Sequence, residues 1–212
     1  MKIVLFGDSI TDMSRNRTEP WHSVHSLGDG YAFVVGSELS RIDPYGFELY
    51  NKGISGNRVV DLYARVKADV WNLEPDVLSI LIGVNDIWHE LDFQNGVDIE
   101  RYEKIYSMLI EDTKKVLPNV KIMLLEPFFL RGTATDEHYD FFLQVKDYAK
   151  VVKRLAEKYG LSFIPLQEKF DEVAKKHEDT TPYLSDGIHP NIAGATLIAN
   201  EWMKCFKKEI LK

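Results

Sequence analysis

Residues 2–11 read KIVLFGDSIT, and the rest of the chain is best read outward from them. Ile3, Val4, Leu5 and Phe6 form an apolar run of the length of a buried strand, which stops at Gly7 and passes into Asp8 and Ser9. Two readings fit this ending. Ser9 can be the N-cap of a following helix, its hydroxyl accepting from a backbone N–H of the first turn. It can equally be a nucleophile held out at the end of a sheet. That role needs a base within reach, a group to orient the base, and donors for an oxyanion.

The same kind of run recurs at 47–51, 76–82, 120–126 and 161–165. Segments of helical period lie between. Val59, Leu62, Tyr63, Val66 and Val70 make one stripe, and Tyr102, Ile105, Tyr106 and Leu109 a second. Phe141, Val145, Tyr148, Val152, Leu155 and Tyr159 make a third, and a last helix is expected after Pro190. Strands alternating with helices predict an α/β fold with a parallel sheet covered on both faces. With no internal repeat, low-complexity tract or linker, residues 1–212 are expected to form a single domain.

Composition narrows the function classes. The chain is 45% hydrophobic and 28% charged, as an ordinary globular protein is. No stretch approaches the roughly 18–20 apolar residues that cross a bilayer, and the N-terminal run is too short for a signal peptide. A net charge of −7 works against binding a nucleic-acid backbone. Cys205 is the only cysteine, so no internal disulfide is expected, and the cytoplasm is the natural location. Its helical spacing with Leu197, Ile198, Glu201 and Trp202 reads as a packed thiol. His22 and His25 lack accompanying carboxylates or thiols and read as loop residues, so neither metal nor cofactor is expected.

In open parallel sheets ligands bind beyond the carboxyl ends of the strands, so the polar segments there carry the search for chemistry. They read GDSIT (7–11), KGISGNR (52–58) and GVND (83–86), with SDGIHPN (185–191) before the last helix. Asp186 and His189 flank Gly187, so a tight turn lets the carboxylate meet one imidazole nitrogen and leaves the other for a hydroxyl. The same residues also fit a plain Asx turn with Pro190 opening a helix. Asn85 offers two side-chain N–H donors, and the N–H groups of Gly56 and Ser9 two more. Asn85-Asp86 also fits a helix cap, and Gly56 a turn.

Taken together, FGDSIT, NKGISGN, IGVND and DGIHP resemble, in order and over nearly the whole chain, the blocks of the SGNH hydrolases, the GDSL esterases and lipases. The resemblance implies a flavodoxin-like three-layer α/β/α sandwich with a five-stranded parallel sheet. It implies Ser9 as nucleophile, His189 as base oriented by Asp186, and an oxyanion hole of Ser9, Gly56 and Asn85. The extended first block, with Asp12, Arg15 and Arg17, is similar to bacterial carbohydrate esterases that deacetylate xylan or xylo-oligosaccharides. Short acetylated oligosaccharides or other short acyl esters are therefore the expected substrates. Asp8, Arg15, Trp21 and Trp88 are the substrate-binding candidates, with His89 beside Trp88 on a sugar-stacking rim; Trp88 fits a packing role equally well. The loops 12–30 and 128–140 are expected to shape the pocket, with Phe128, Phe129 and Tyr139 as lining or packing. A lysophospholipase or thioesterase, or a flavodoxin-like binding module without activity, are the rival readings. Self-association into a homo-oligomer is left open.

Overall fold

A computed structural model describes residues 1–211. Five parallel strands form one sheet: β1 (Lys2–Gly7), β2 (Glu48–Gly53), β3 (Val77–Leu81), β4 (Lys121–Leu125) and β5 (Ser162–Ile164). All five lie at the expected runs, with ends that differ by at most two residues. Their order is β2-β1-β3-β4-β5. Burial explains the sequence pattern strand by strand. β3 has both neighbours and both faces covered and is apolar or small throughout, whereas edge strand β2 alternates buried and half-buried positions.

The helices are α1 (Ser9–Asp12), α2 (Tyr31–Ile42), α3 (Val59–Asp69), α4 (Val84–Phe93), α5 (Ile99–Val116), α6 (Tyr139–Phe142), α7 (Val145–Tyr159), α8 (Gln167–Lys176) and α9 (Ile192–Glu209). α2 packs on α9, and α3, α5 and α7 form a second row, which gives the three-layer α/β/α sandwich. Trp202 of α9 is fully buried, stacks on Phe206 with ring centroids 4.8 Å apart, and donates its indole N–H to Ser79 Oγ of β3 at 2.9 Å. Phe141, expected in the long α7 stripe, lies instead in α6, one short turn earlier. Pro190 does not open α9; it pairs with Leu184 across a short bridge, and the helix starts at Ile192.

This topology positions the site. From β1 the chain crosses to β2 on one side, then returns to place β3 on the other, so the connections diverge between β1 and β3. Such a switch point leaves a crevice above the strand ends. The register sets Gly7 opposite both Gly53 and Leu81, so the three loops that follow start from one level.

Candidate active site

β1 ends at Gly7, and the chain turns at once into α1. The cap of α1 is Asp8, whose carboxylate accepts the Ile10 N–H at 3.0 Å, which leaves the Ser9 hydroxyl unused by its own helix. The structure places Asp8, expected at the substrate, as this cap, and the residue is only 2% exposed. Burial raises its pKa to about 7, against the pull of its backbone hydrogen bond and of His189.

The Ser9 Oγ lies 2.9 Å from His189 Nε2, although the two residues are 180 positions apart in the chain. On the far side of the ring, Nδ1 is 2.7 Å from Asp186 Oδ2. An ionised carboxylate only accepts, so Nδ1 carries the proton and Nε2 is free to take one from serine. Asp186 Oδ1 receives the N–H groups of Ile188 and His189, at 2.9 and 2.8 Å. Half-burial acts to raise the Asp186 pKa but is outweighed by the His189 ring and these two N–H donors, so it falls to about 2. The Asp186 hydrogen bond in turn raises the pKa of His189, against the effect of burial.

The turn that makes this geometry is locked from behind. Gly187 has φ +97°, a conformation a side chain rarely adopts. A Cβ on the facing Gly132 would lie 2.3 Å from the Gly187 nitrogen. Leu130 donates its N–H to Gly187 O at 2.8 Å, Ala134 to Asp186 O at 3.0 Å, and the buried Thr135 hydroxyl closes on Leu130 O at 2.6 Å. Residues 130–135 therefore brace the acid–base turn. Phe128 and Phe129 are buried, the first stacked on Phe170 at 4.3 Å, so both are packing residues.

The other two strand-end loops converge on the same place. Gly56 has φ +81°, and the hydrogen bonds of the loop leave the N–H groups of Ser9 and Gly56 without an acceptor among the described residues. Asn85, 7% exposed at the start of α4, gives one Nδ2 hydrogen to Asn57 O at 3.1 Å and keeps the other. Asp12 holds the 54–57 loop from below, accepting the Ser55 N–H and hydroxyl at 3.0 and 3.1 Å. Asp86 accepts the Val59 N–H at 2.9 Å and so joins α4 to α3. Neither bracing contact was foreseen, because each joins segments far apart in the chain: Asp12 reaches Ser55, and Asp86 reaches Val59.

Among the remaining candidates, Trp88 is brought to the site: its ring lies 6.2 Å from that of His189 and edge-on to Phe142 at 5.7 Å. His89 faces the glycine loop, its Nε2 3.9 Å from where a Cβ at position 56 would be. Burial and then Arg58 lower its pKa. Arg15 is turned inward and donates its Nε–H to Gly53 O at 2.9 Å. Trp21 lines a separate cleft with Val24, Leu27, Phe33, Phe47 and Leu49, to which neither Ser9 nor His189 contributes. Arg15 and Trp21, expected at the substrate, also line one cleft together with Tyr50, Asn51 and Lys52. Among the described residues no cluster of His, Cys, Asp or Glu is arranged to hold a metal.

This arrangement can pass a proton from a hydroxyl to an imidazole and receive negative charge on nearby N–H groups. Comparison with known proteins agrees with that chemistry. Residues 5–197 match the GDSL-like lipase/acylhydrolase family. The chain is 36% identical to an acetylxylan esterase of Geobacillus stearothermophilus, covering 96% of this chain and 92% of that protein. The crystal structure of that esterase superposes with a TM-score of 0.85, covering 96% of this chain and 93% of that one. A GDSL-like lipase of Parabacteroides merdae, 38% identical, superposes with a TM-score of 0.90 over 96% of this chain and 94% of that one. The chain belongs to the GDSL-like lipase/acylhydrolase family and is a carboxylic ester hydrolase.

Proposed function

We propose that this protein is a serine esterase that removes acetyl groups from short acetylated carbohydrates, xylo-oligosaccharides first among them. The carrying observation is the continuous contact from Ser9 Oγ to His189 Nε2 to Asp186, at 2.9 and 2.7 Å. In this reading Ser9 attacks the ester carbonyl as His189 takes its proton, and the oxyanion is received by the N–H groups of Ser9 and Gly56 and by Asn85 Nδ2. His189 then protonates the leaving alcohol, and water, deprotonated by the same imidazole, releases the acid from Ser9. Ester, water and side chains supply every proton and electron pair, so the sequence calls for no cofactor.

The substrate follows from the relatives. The Geobacillus protein is an acetylxylan esterase, and solved catalytic mutants of it replace a serine, an aspartate or a histidine by alanine. Those are the residue types of the proposed triad. Trp88 supplies an aromatic face beside His189 that suits a pyranose ring. We further propose one catalytic domain over residues 1–212 and a cytoplasmic location. The support for the location is the cysteine content: Cys205 is the single cysteine, so the fold uses no internal disulfide.

The test is a series of p-nitrophenyl esters of rising chain length, followed by acetylated xylobiose, on wild type and Ser9→Ala. The proposal expects acetate to be preferred and turnover to vanish in Ser9→Ala with the circular dichroism unchanged. Preference for octanoate would turn the reading to a lysophospholipase or thioesterase. Undiminished turnover in Ser9→Ala would remove the serine mechanism.

A further inference from the structure

Arg65 sits in the middle of α3, and its guanidinium reaches three separate parts of the proposed site. Its Nε–H goes to Asn57 Oδ1 at 2.7 Å, Nη1 to Lys52 O at 2.9 Å, and Nη2 to Gly7 O at 3.0 Å. Asp69 neutralises it from one helical turn away, at 2.7 Å. Its Cζ stands 4.3 Å from the centroid of the Phe6 ring, and only 15% of the side chain is exposed. Each partner lies close in the chain to an oxyanion donor. Gly7 precedes Ser9 by two residues. Lys52 leads into the loop that carries Gly56. Asn57 follows Gly56 directly, and its carbonyl takes the Nδ2 hydrogen of Asn85.

The chemistry of the contact favours arginine alone. Gly7 O already takes the Ile54 N–H at 3.0 Å, so the guanidinium adds a second donor to that carbonyl and ties it to Lys52 O and Asn57 Oδ1. A planar fork with five N–H groups serves several acceptors at fixed spacing, whereas an ammonium supplies a compact charge on a flexible stem. We infer that Arg65 is a positioning residue for the oxyanion hole: through Asn57 it fixes the side chain of Asn85, and through Gly7 and Lys52 it fixes the spacing of the Ser9 and Gly56 N–H groups. The inference rests on the serine-esterase reading above and adds to it a determinant that never touches the ester. Oxyanion donors act at full strength only where the transition-state oxygen will be, so their loss of alignment falls on kcat.

The experiment is steady-state hydrolysis of p-nitrophenyl acetate by Arg65→Lys, Arg65→Ala, Asn57→Ala and the double variant, with thermal melts of each. Arg65→Ala and Arg65→Lys should lose about 100-fold in kcat with KM changed by less than about threefold, the effect of a misplacement near 1 Å. Guanidinium chloride at sub-denaturing concentration should restore part of the kcat of Arg65→Ala, and ammonium chloride should not. Asn57→Ala should lower kcat in the same way, and the double variant should lose no more than Arg65→Ala. A kcat within about threefold of wild type in folded Arg65→Ala, or guanidinium that raises its melting temperature without raising kcat, overturns the inference. If Arg65→Ala fails to fold, Asn57→Ala decides alone, and an unchanged kcat there overturns it. Ser9→Ala measured alongside separates the two levels: if it keeps wild-type turnover, the parent reading falls whatever Arg65 does.

Discussion

The Asp186 carboxylate meets two backbone N–H groups and the His189 ring, and these contacts set the direction in which both partners titrate. His189 is held above its usual value, so protonation begins on the alkaline side of an ordinary imidazole, near 6.5. Only the neutral ring accepts a proton, so kcat/KM is expected to fall with acidity along a limb centred above that value. Asp186→Asn should cost roughly 10⁴-fold in kcat, since an amide can hold the wrong tautomer, and should move the remaining limb to lower pH. A pH–rate profile of both forms checks this. For stability the signs differ. The His189 contribution is complete below its unfolded pKa and is lost as pH rises through the raised one. The Asp186 contribution is present above its unfolded pKa and is lost as pH falls toward about 2. At this scale the sequence was legible where a residue's placement follows from its position at a strand end or in its turn, as for Ser9, His189 and Asn85, which the fold brings together. It did not record a side chain's direction, as for Asp8, whose carboxylate turns back to cap α1. It was silent on Arg65, whose i,i+4 spacing to Asp69 looks like a surface ion pair.

Among the elements, α9 carries a large share of the packing on its face of the sheet. Trp202 fills that face and spends its only polar atom on Ser79. Trp202→Ala is expected to cost about 3–5 kcal/mol. Trp202→Phe should cost less, about 1–3 kcal/mol, chiefly because a buried hydroxyl on β3 loses its donor. Urea denaturation of the two variants measures both. The stripe that holds Trp202 and runs on to Cys205 was readable because a helix packed on a sheet must repeat its apolar residues every three or four positions. The split between α6 and α7 was not. Phe141 keeps the spacing of the stripe, but Leu143 and Gln144 are exposed and fall outside both helices, a choice made by tertiary contacts that local period does not record. The short β5 is similar: it pairs only with β4, so its ends fray into half-buried chain.

For the whole molecule, the decisive fact is that the proposed nucleophile, Ser9, and the proposed base, His189, stand at opposite ends of the chain, 180 residues apart. Neither can be placed without the sheet between them. Activity and far-UV circular dichroism are therefore expected to disappear in urea with the same midpoint, as in a cooperative all-or-none transition. Activity lost at a clearly lower concentration would show that the acid–base turn opens ahead of the fold. The overall topology was legible from the alternation of buried runs and amphipathic segments. The level at which the strand ends meet was not, because register depends on pairings that leave no mark in one sequence.

The backbone-to-backbone contact between Gly132 and the 186–187 turn has a bearing on how such an enzyme can change its diet. A segment joined so closely to the turn that carries Asp186 and His189 cannot shift for a bulkier carrier without shifting that turn as well. Adaptation to new alcohols under the proposed chemistry is thereby channelled to Trp88 and His89, which lie beside His189 and Gly56 and can be exchanged with the Ser9–His189–Asp186 hydrogen bonds intact.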